Sequence, residues 1–157
     1  MKRILLFFIY LSFSFYFVQV AESQNKKALL IGIDNYNATN PDNNYNGSGR
    51  PIPNLFGCVN DVKLFKELLK ARYDFKESEC KVLLDEKATK ENILNTIVEY
   101  LIDDTKKGDI IIFYYAGHGS QVKNSLSNER DKMDESIVPY GSKEDILDVE
   151  LKFLFNK

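Results

Sequence analysis

The run Ile110-Ile111-Ile112-Phe113-Tyr114-Tyr115, led in by Asp109, constrains the fold more than any other segment of the chain. Consecutive β-branched and aromatic residues without alternation suit a strand covered on both faces, the pattern of a parallel sheet. Directly after it stands Ala116-Gly117-His118-Gly119-Ser120-Gln121, and His118 is the only histidine present. In open α/β sheets, ligands and chemistry collect just beyond the carboxyl ends of the strands. Flanking glycines let the backbone turn sharply there, and an imidazole so delivered moves protons near neutral pH. The same residues also fit a strand-end histidine satisfied by a backbone carbonyl.

The rest of the chain alternates strand and helix. Lys27 to Ile33 reads as a first strand, followed from Asp34 to Asn54 by a long loop rich in Asn, Gly and Pro. Asn60 is the expected N-cap of a helix carrying Val62, Phe65, Leu68 and Leu69 at helical spacing. Cys80 to Leu84 reads as a second strand. Thr89 is placed to cap a helix whose Ile93, Leu94, Ile97, Val98 and Leu101 form one stripe, and Gly108 ends the turn before the third strand. Ser120 to Glu135 is dense in charge and reads as a polar loop, Ser136 to Tyr140 as a short strand. Asp148 is the expected cap of a last helix through Leu151, Leu154 and Phe155. The β-α-β-α-β order implies a parallel sheet, right-handed crossovers and helices on both faces. No strand follows the last helix, which leaves its apolar face without an expected partner.

A chain of 157 residues holds one core. Residues 1–23 have the pattern of a secretory signal: Lys2 and Arg3, an apolar run from Ile4 to Val18, and Ala21-Glu22-Ser23 as a small-x-small cleavage site. That run is shorter than the roughly 20 residues of a membrane span, so a secreted domain over residues 24–157 is expected, with an uncleaved N-terminal anchor as the alternative. Removing the segment takes the net charge from −2 to −3. No basic stripe appears, which argues against a nucleic-acid partner. Two cysteines, Cys58 and Cys80, are too few for a disulfide scaffold. Asn37-Ala38-Thr39 and Asn46-Gly47-Ser48 are glycosylation sequons. Neither GxGxxG nor GxxxxGK[ST] occurs, so a nucleotide-binding α/β domain is disfavoured.

Five segments occur in a telling order: Lys27-Ala28-Leu29-Leu30-Ile31-Gly32-Ile33-Asp34-Asn35-Tyr36, Gly57-Cys58-Val59-Asn60-Asp61-Val62, Tyr115-Ala116-Gly117-His118-Gly119-Ser120-Gln121, Asp134-Glu135-Ser136-Ile137-Val138-Pro139 and Ile146-Leu147-Asp148-Val149-Glu150-Leu151. Together, from about Lys26 onward, they resemble the metacaspase branch of the caspase-like cysteine peptidases. The resemblance implies a caspase-like three-layer α/β fold, a mostly parallel sheet flanked by helices. It also implies a Cys–His dyad that cleaves peptides after Arg or Lys. The family's nucleophile lies in an Asp-x-Cys-x-Ser-Gly motif at the next strand, some tens of residues beyond Asp148. The sequence stops at Lys157, so the expectation is the front part of a peptidase domain, ending before the nucleophile strand.

Carried over residue by residue, the resemblance implies that His118 is the acid–base and that the Gly119 N–H is half of an oxyanion hole. Asp61 would receive a basic substrate side chain; a helix-terminal acid complementing the macrodipole is the plainer reading of it. Asp134 and Asp148 would bind calcium, although Val149 stands where the family carries a second acid. A solvated loop acid and an N-cap are the plainer readings of that pair. Neither cysteine matches the nucleophile position, so the chain alone is expected to be inactive. The alternative function is a non-catalytic secreted caspase-like pseudoenzyme or interaction domain.

Overall fold

The computed structural model describes residues 24–36, 52–124 and 130–156. The expected signal segment and both sequons lie outside the described residues.

Three strands form a parallel sheet: β1 (Lys26–Gly32), β2 (Cys80–Leu84) and β3 (Ile110–Ala116), in the order β2-β1-β3. Because β1 is central, Ala28, Leu29, Leu30 and Ile31 are completely buried, and alternate side chains enter opposite layers. Ala28 and Leu30 pack with Val62, Leu69 and Phe75 beneath helix α1 (Cys58–Tyr73). Leu29, Ile31 and Ile33 pack with Ile93, Ile97 and Leu101 on the other face. Each buried Val, Leu, Ile or Phe among these contributes about 1.5–3 kcal/mol of burial. Helix α2 (Lys90–Thr96) opens as expected, Thr89 Oγ1 accepting from the Asn92 amide at 3.2 Å. It runs on into a π-helical segment, Ile97–Ile102, in which the Asp103 amide donates to the Val98 carbonyl at 2.8 Å.

The expected α1 cap is corrected. The helix starts at Cys58, so Asn60 lies inside it, and its first amides are satisfied from outside. Asp34 accepts from the Cys58 amide (2.8 Å) and the Val59 amide (3.3 Å).

The expected polar loop from Ser120 to Glu135 is also corrected. Its two ends are strands β4 (Gly119–Lys123) and β5 (Met133–Ile137), antiparallel, with Ser120 opposite Ser136 and Val122 opposite Asp134. A short β6 (Ile146–Leu147) adds to β5. Helix α3 (Asp148–Phe155) begins with Asp148 as its first residue, not its cap. The cap position is Leu147, whose amide donates to Glu150 Oε2 at 2.8 Å. The helix finds the partner its sequence left open: Leu151 and Leu154 join the core that contains Leu29 and Ile97, and Phe155 meets Phe113 edge-on at 5.7 Å. Phe153 remains 69% exposed.

Candidate active site

β1 and β3 run the same way, so Gly32 and Ala116 end at one edge, their pairing closed by the Ile33 amide on the Ala116 carbonyl at 3.0 Å. His118 stands two residues past the end of β3. The Asp34 bonds to α1 bring that helix's first turn, with Asp61, to the same edge. His118 and Asp61 therefore stand at the same carboxyl edge. Asp61 is solvent-exposed in the first turn of α1.

His118 is half-buried and held at several points. Its ring Nε2 lies 2.8 Å from the Pro53 carbonyl oxygen. A carbonyl only accepts, so this contact puts the proton of a neutral imidazole on Nε2 and leaves the Nδ1 lone pair available. The Tyr36 ring lies 4.8 Å from the imidazole, tilted by 59°. The backbone of His118 is gripped as well. Its amide donates to Tyr36 Oη at 2.8 Å, Tyr115 Oη reaches its carbonyl at 3.0 Å, and the Val138 amide donates to that same carbonyl at 3.0 Å. A Cβ on Gly117 would come within 2.5 Å of Tyr115 Oη and 2.6 Å of Tyr36 Oη, so only glycine fits between the hydroxyls and the histidine.

Gly119 begins β4 opposite Ile137. The preceding residue bonds across to Val138, and amide direction alternates along an antiparallel ladder, so the Gly119 N–H is turned away from β5. A Cβ here would meet the Ser136 carbonyl oxygen only at an ordinary 3.5 Å. Packing does not demand this glycine.

Loops around the histidine are tied by acids and amides. Asp85 Oδ1 accepts from the Asp34 amide (2.8 Å) and the Asn35 amide (3.0 Å), and Asn54 Oδ1 accepts from the Tyr36 amide (2.8 Å). Sequence reasoning did not single out Tyr36, Asn54, Asp85, Tyr115 or the Pro53 carbonyl. Only Asp34, an acid just past a strand end, carried a local signal.

The thiols are not poised for attack. Burial, with Asp34 next in effect, pushes the Cys58 thiol above its ordinary range, so thiolate is disfavoured at neutral pH. Cys80 sits at the amino end of β2, the edge away from His118, and burial pushes its thiol up too. Among the two candidate calcium ligands, Asp134 is 3% exposed and accepts from Asn124 Nδ2 at 2.7 Å, so it is not a solvated loop acid. Asp148 is solvent-exposed. Among the described residues no three His, Cys, Asp or Glu side chains gather as a metal site. Calcium wants six to eight oxygens, more than two carboxylates supply.

A parallel sheet between helical layers, with a lone histidine presented beyond its carboxyl edge, is a caspase-like α/β arrangement. Residues 26–157 match the family described as metacaspase, peptidase C14 domain, and the chain belongs to that family. It is 39% identical over 122 residues to metacaspase-1 of Plasmodium falciparum, covering 73% of this chain and 18% of that protein. With metacaspase-6 of Arabidopsis thaliana it shares 37% over 120 residues, covering 73% and 29%. With metacaspase-5 of Trypanosoma brucei brucei it shares 36% over 135 residues, covering 80% and 24%. The matched part thus spans under a third of these relatives. In fold it is similar to the crystal structure of protein GSU0716 from Geobacter sulfurreducens, with a TM-score of 0.60, 24% identity, and coverage of 83% of this chain and 44% of that one.

Proposed function

We propose that this chain is the histidine-bearing portion of a metacaspase-type cysteine endopeptidase that cleaves after Arg or Lys. The observation that carries the reading is the Nε2 contact to the Pro53 carbonyl, which takes the neutral ring's proton and leaves the Nδ1 lone pair for proton transfer. In the complete enzyme, Nδ1 takes the proton of the family's Asp-x-Cys-x-Ser-Gly thiol, and the thiolate attacks the scissile carbonyl carbon. The imidazolium then protonates the leaving amine, giving a thioester and free peptide. Nδ1 next takes a proton from water, whose hydroxide cleaves the thioester and returns the thiol. The Gly119 N–H, directed away from β5, is one donor to the oxyanion in both halves.

Asp61 is proposed to meet the basic side chain before the scissile bond. Protein or peptide substrates fit the family; the basic preference rests on this one exposed acid and its position at the edge. The chain alone is proposed to be inert, because burial disfavours the Cys58 thiolate and Cys80 lies at the opposite edge of the sheet. Secretion is proposed from the N-terminal pattern alone. Calcium at Asp134 and Asp148 is proposed only for the complete enzyme, where other oxygens join them, and no step above uses it.

The test joins this chain to the family's nucleophile segment and measures kcat/KM on Arg-, Lys-, Asp- and Leu-ending peptides. His118→Ala is expected to remove turnover on all four. Asp61→Asn is expected to cost the Arg and Lys peptides about 2 kcal/mol in transition-state binding and the others little. Equal losses on all four peptides would reduce Asp61 to a helix-terminal acid. Turnover that survives His118→Ala would overturn the peptidase reading.

A further inference from the structure

Next to the imidazole lies an arrangement that the catalytic reading does not use. In a regular antiparallel ladder, His118 and Val138 would exchange two direct bonds, amide to carbonyl each way. Only one of the two is made, from the Val138 amide to the His118 carbonyl at 3.0 Å. The other is replaced by two phenol groups. The His118 amide donates to Tyr36 Oη (2.8 Å), Tyr36 Oη lies 3.1 Å from Tyr115 Oη, and Tyr115 Oη donates to the Val138 carbonyl at 2.7 Å. An amide can only donate and a carbonyl can only accept, so Tyr36 Oη accepts from His118, and the shorter contacts join the two hydroxyls on to the Val138 carbonyl, with the His118 carbonyl at 3.0 Å a second acceptor for the Tyr115 proton. The Val138 carbonyl is also within 3.3 Å of Tyr36 Oη. The circuit closes on the residue where it began.

We infer that Tyr36 and Tyr115 are positioning residues for His118, a hydroxyl wedge that holds its backbone out of the β4–β5 ladder and so sets the direction of its imidazole. The inference deepens the reading of His118 as the base and rests on it for its relevance to catalysis.

Three further observations support the wedge. The two hydroxyls come from residues 82 and 3 positions before the histidine, so the Tyr36 bond is a long-range tertiary contact, while Tyr115 reaches it from the end of the adjoining strand. Gly117 leaves no side chain where the hydroxyls meet, and any Cβ there would strike both. Burial pushes the Tyr36 phenol up to about 12 and raises Tyr115 above its ordinary range, so both keep their protons wherever a histidine base works. In a partly buried chain of this kind each bond polarises the next. Losing the Tyr36 hydroxyl leaves the His118 amide without its partner, and losing the Tyr115 hydroxyl leaves the Val138 carbonyl only the longer 3.3 Å contact to Tyr36, so the direct ladder bond becomes the available substitute. His118 would then be drawn towards Val138, and its ring away from the Pro53 carbonyl.

The single histidine makes the test direct, since the full chain has one imidazole to observe. Imidazole 15N NMR near pH 8 reads its tautomer, and amide hydrogen exchange reads its backbone. Tyr36→Phe and Tyr115→Phe are expected to lower the Nε2–H share and to speed His118 amide exchange by about tenfold or more. Tyr114→Phe is the control: that ring lies on the other face of β3, stacked on Phe65 at 4.4 Å, and both readouts should stay at wild type. Folded Tyr36→Phe and Tyr115→Phe chains with wild-type tautomer and exchange would overturn the inference, as would an equal response to Tyr114→Phe. If either variant does not fold, the wild-type chain decides. Slowly exchanging Tyr36 and Tyr115 hydroxyl protons with cross-peaks to the His118 amide support the wedge, and their absence at low temperature overturns it. Neither result moves the peptidase reading, which stands or falls on His118-dependent turnover of the joined chain.

Discussion

The two edges of the parallel sheet are finished with the same kinds of bond and to different effect. At the amino edge, the Asn25 amide donates to Asp109 Oδ1 at 3.0 Å and the Lys106 amide to Oδ2 at 3.0 Å, while Lys26 reaches the Tyr73 carbonyl. All of these are exposed, and each ties one segment to its neighbour. At the carboxyl edge, Asp34, Asp85, Tyr36 and Tyr115 are partly or fully buried; Asp85 holds the loop after β1, Asp34 ties that loop to α1, and the two tyrosines bond in series to His118. An exposed bond trades evenly with water. A buried bond in a series leaves an unsatisfied group when its partner is removed, and that costs far more. The amino edge is tied; the carboxyl edge is braced.

The comparison breaks first, if it breaks, at Gly117. Gly117→Ala forces a methyl group against two hydroxyls and should cost about 2–3 kcal/mol in urea denaturation. A loss below about 0.5 kcal/mol, the ordinary surface range, would mean the wedge is loosely packed. Next in size is Asp34→Ala, which strips a carboxylate from two amides of α1. A loss of about 1–2 kcal/mol is expected, and a neutral outcome would show that water satisfies those amides equally well.

Asp109 sharpens the contrast through pH. Amide donation from Lys106 holds its carboxyl below the usual range, so the folded chain binds that proton less tightly than the unfolded one. The stability it adds is present above the unfolded carboxylate range and fades as pH falls through the lowered folded value. Its bonds being exposed, it should add little: melting curves of wild type and Asp109→Asn should differ slightly at pH 7 and merge in strong acid. A gap that widens in acid would reverse the sign and contradict the bonding. The smallest effect belongs to Asn25→Ala, expected within about 0.5 kcal/mol of wild type. A larger loss would make the amino edge as braced as the other.

What the sequence made legible follows from where water is excluded. β1, β3 and the Ile93, Ile97, Leu101 stripe announce themselves because both layers need apolar residues at fixed spacing. β4 and β5 do not. Gly-Ser-Gln-Val-Lys pairs largely with polar residues on a half-exposed ladder, so no hydrophobic period marks it. The position of His118 was readable, being a lone imidazole past a buried strand. Its support was not, because a strand tyrosine reads like a phenylalanine until the fold brings Tyr115 and Tyr36 hydroxyls together across 79 positions. The cap on α1 was hidden likewise: Asp34 lies 24 residues before the helix it closes. Asp61 was placed correctly by its helix, since an acid in a first turn needs no tertiary contact to be found there.

The central claim is that the carboxyl edge is built to hold one imidazole with its Nε2 proton on Pro53 and its Nδ1 free. Long-range 1H–15N NMR of the wild-type chain above the histidine pKa measures this directly, with no signal from any other histidine. The account predicts a predominantly Nε2–H ring, Nδ1 showing the shift of an unprotonated nitrogen. A ring averaging between both tautomers, or one protonated chiefly at Nδ1, would contradict it.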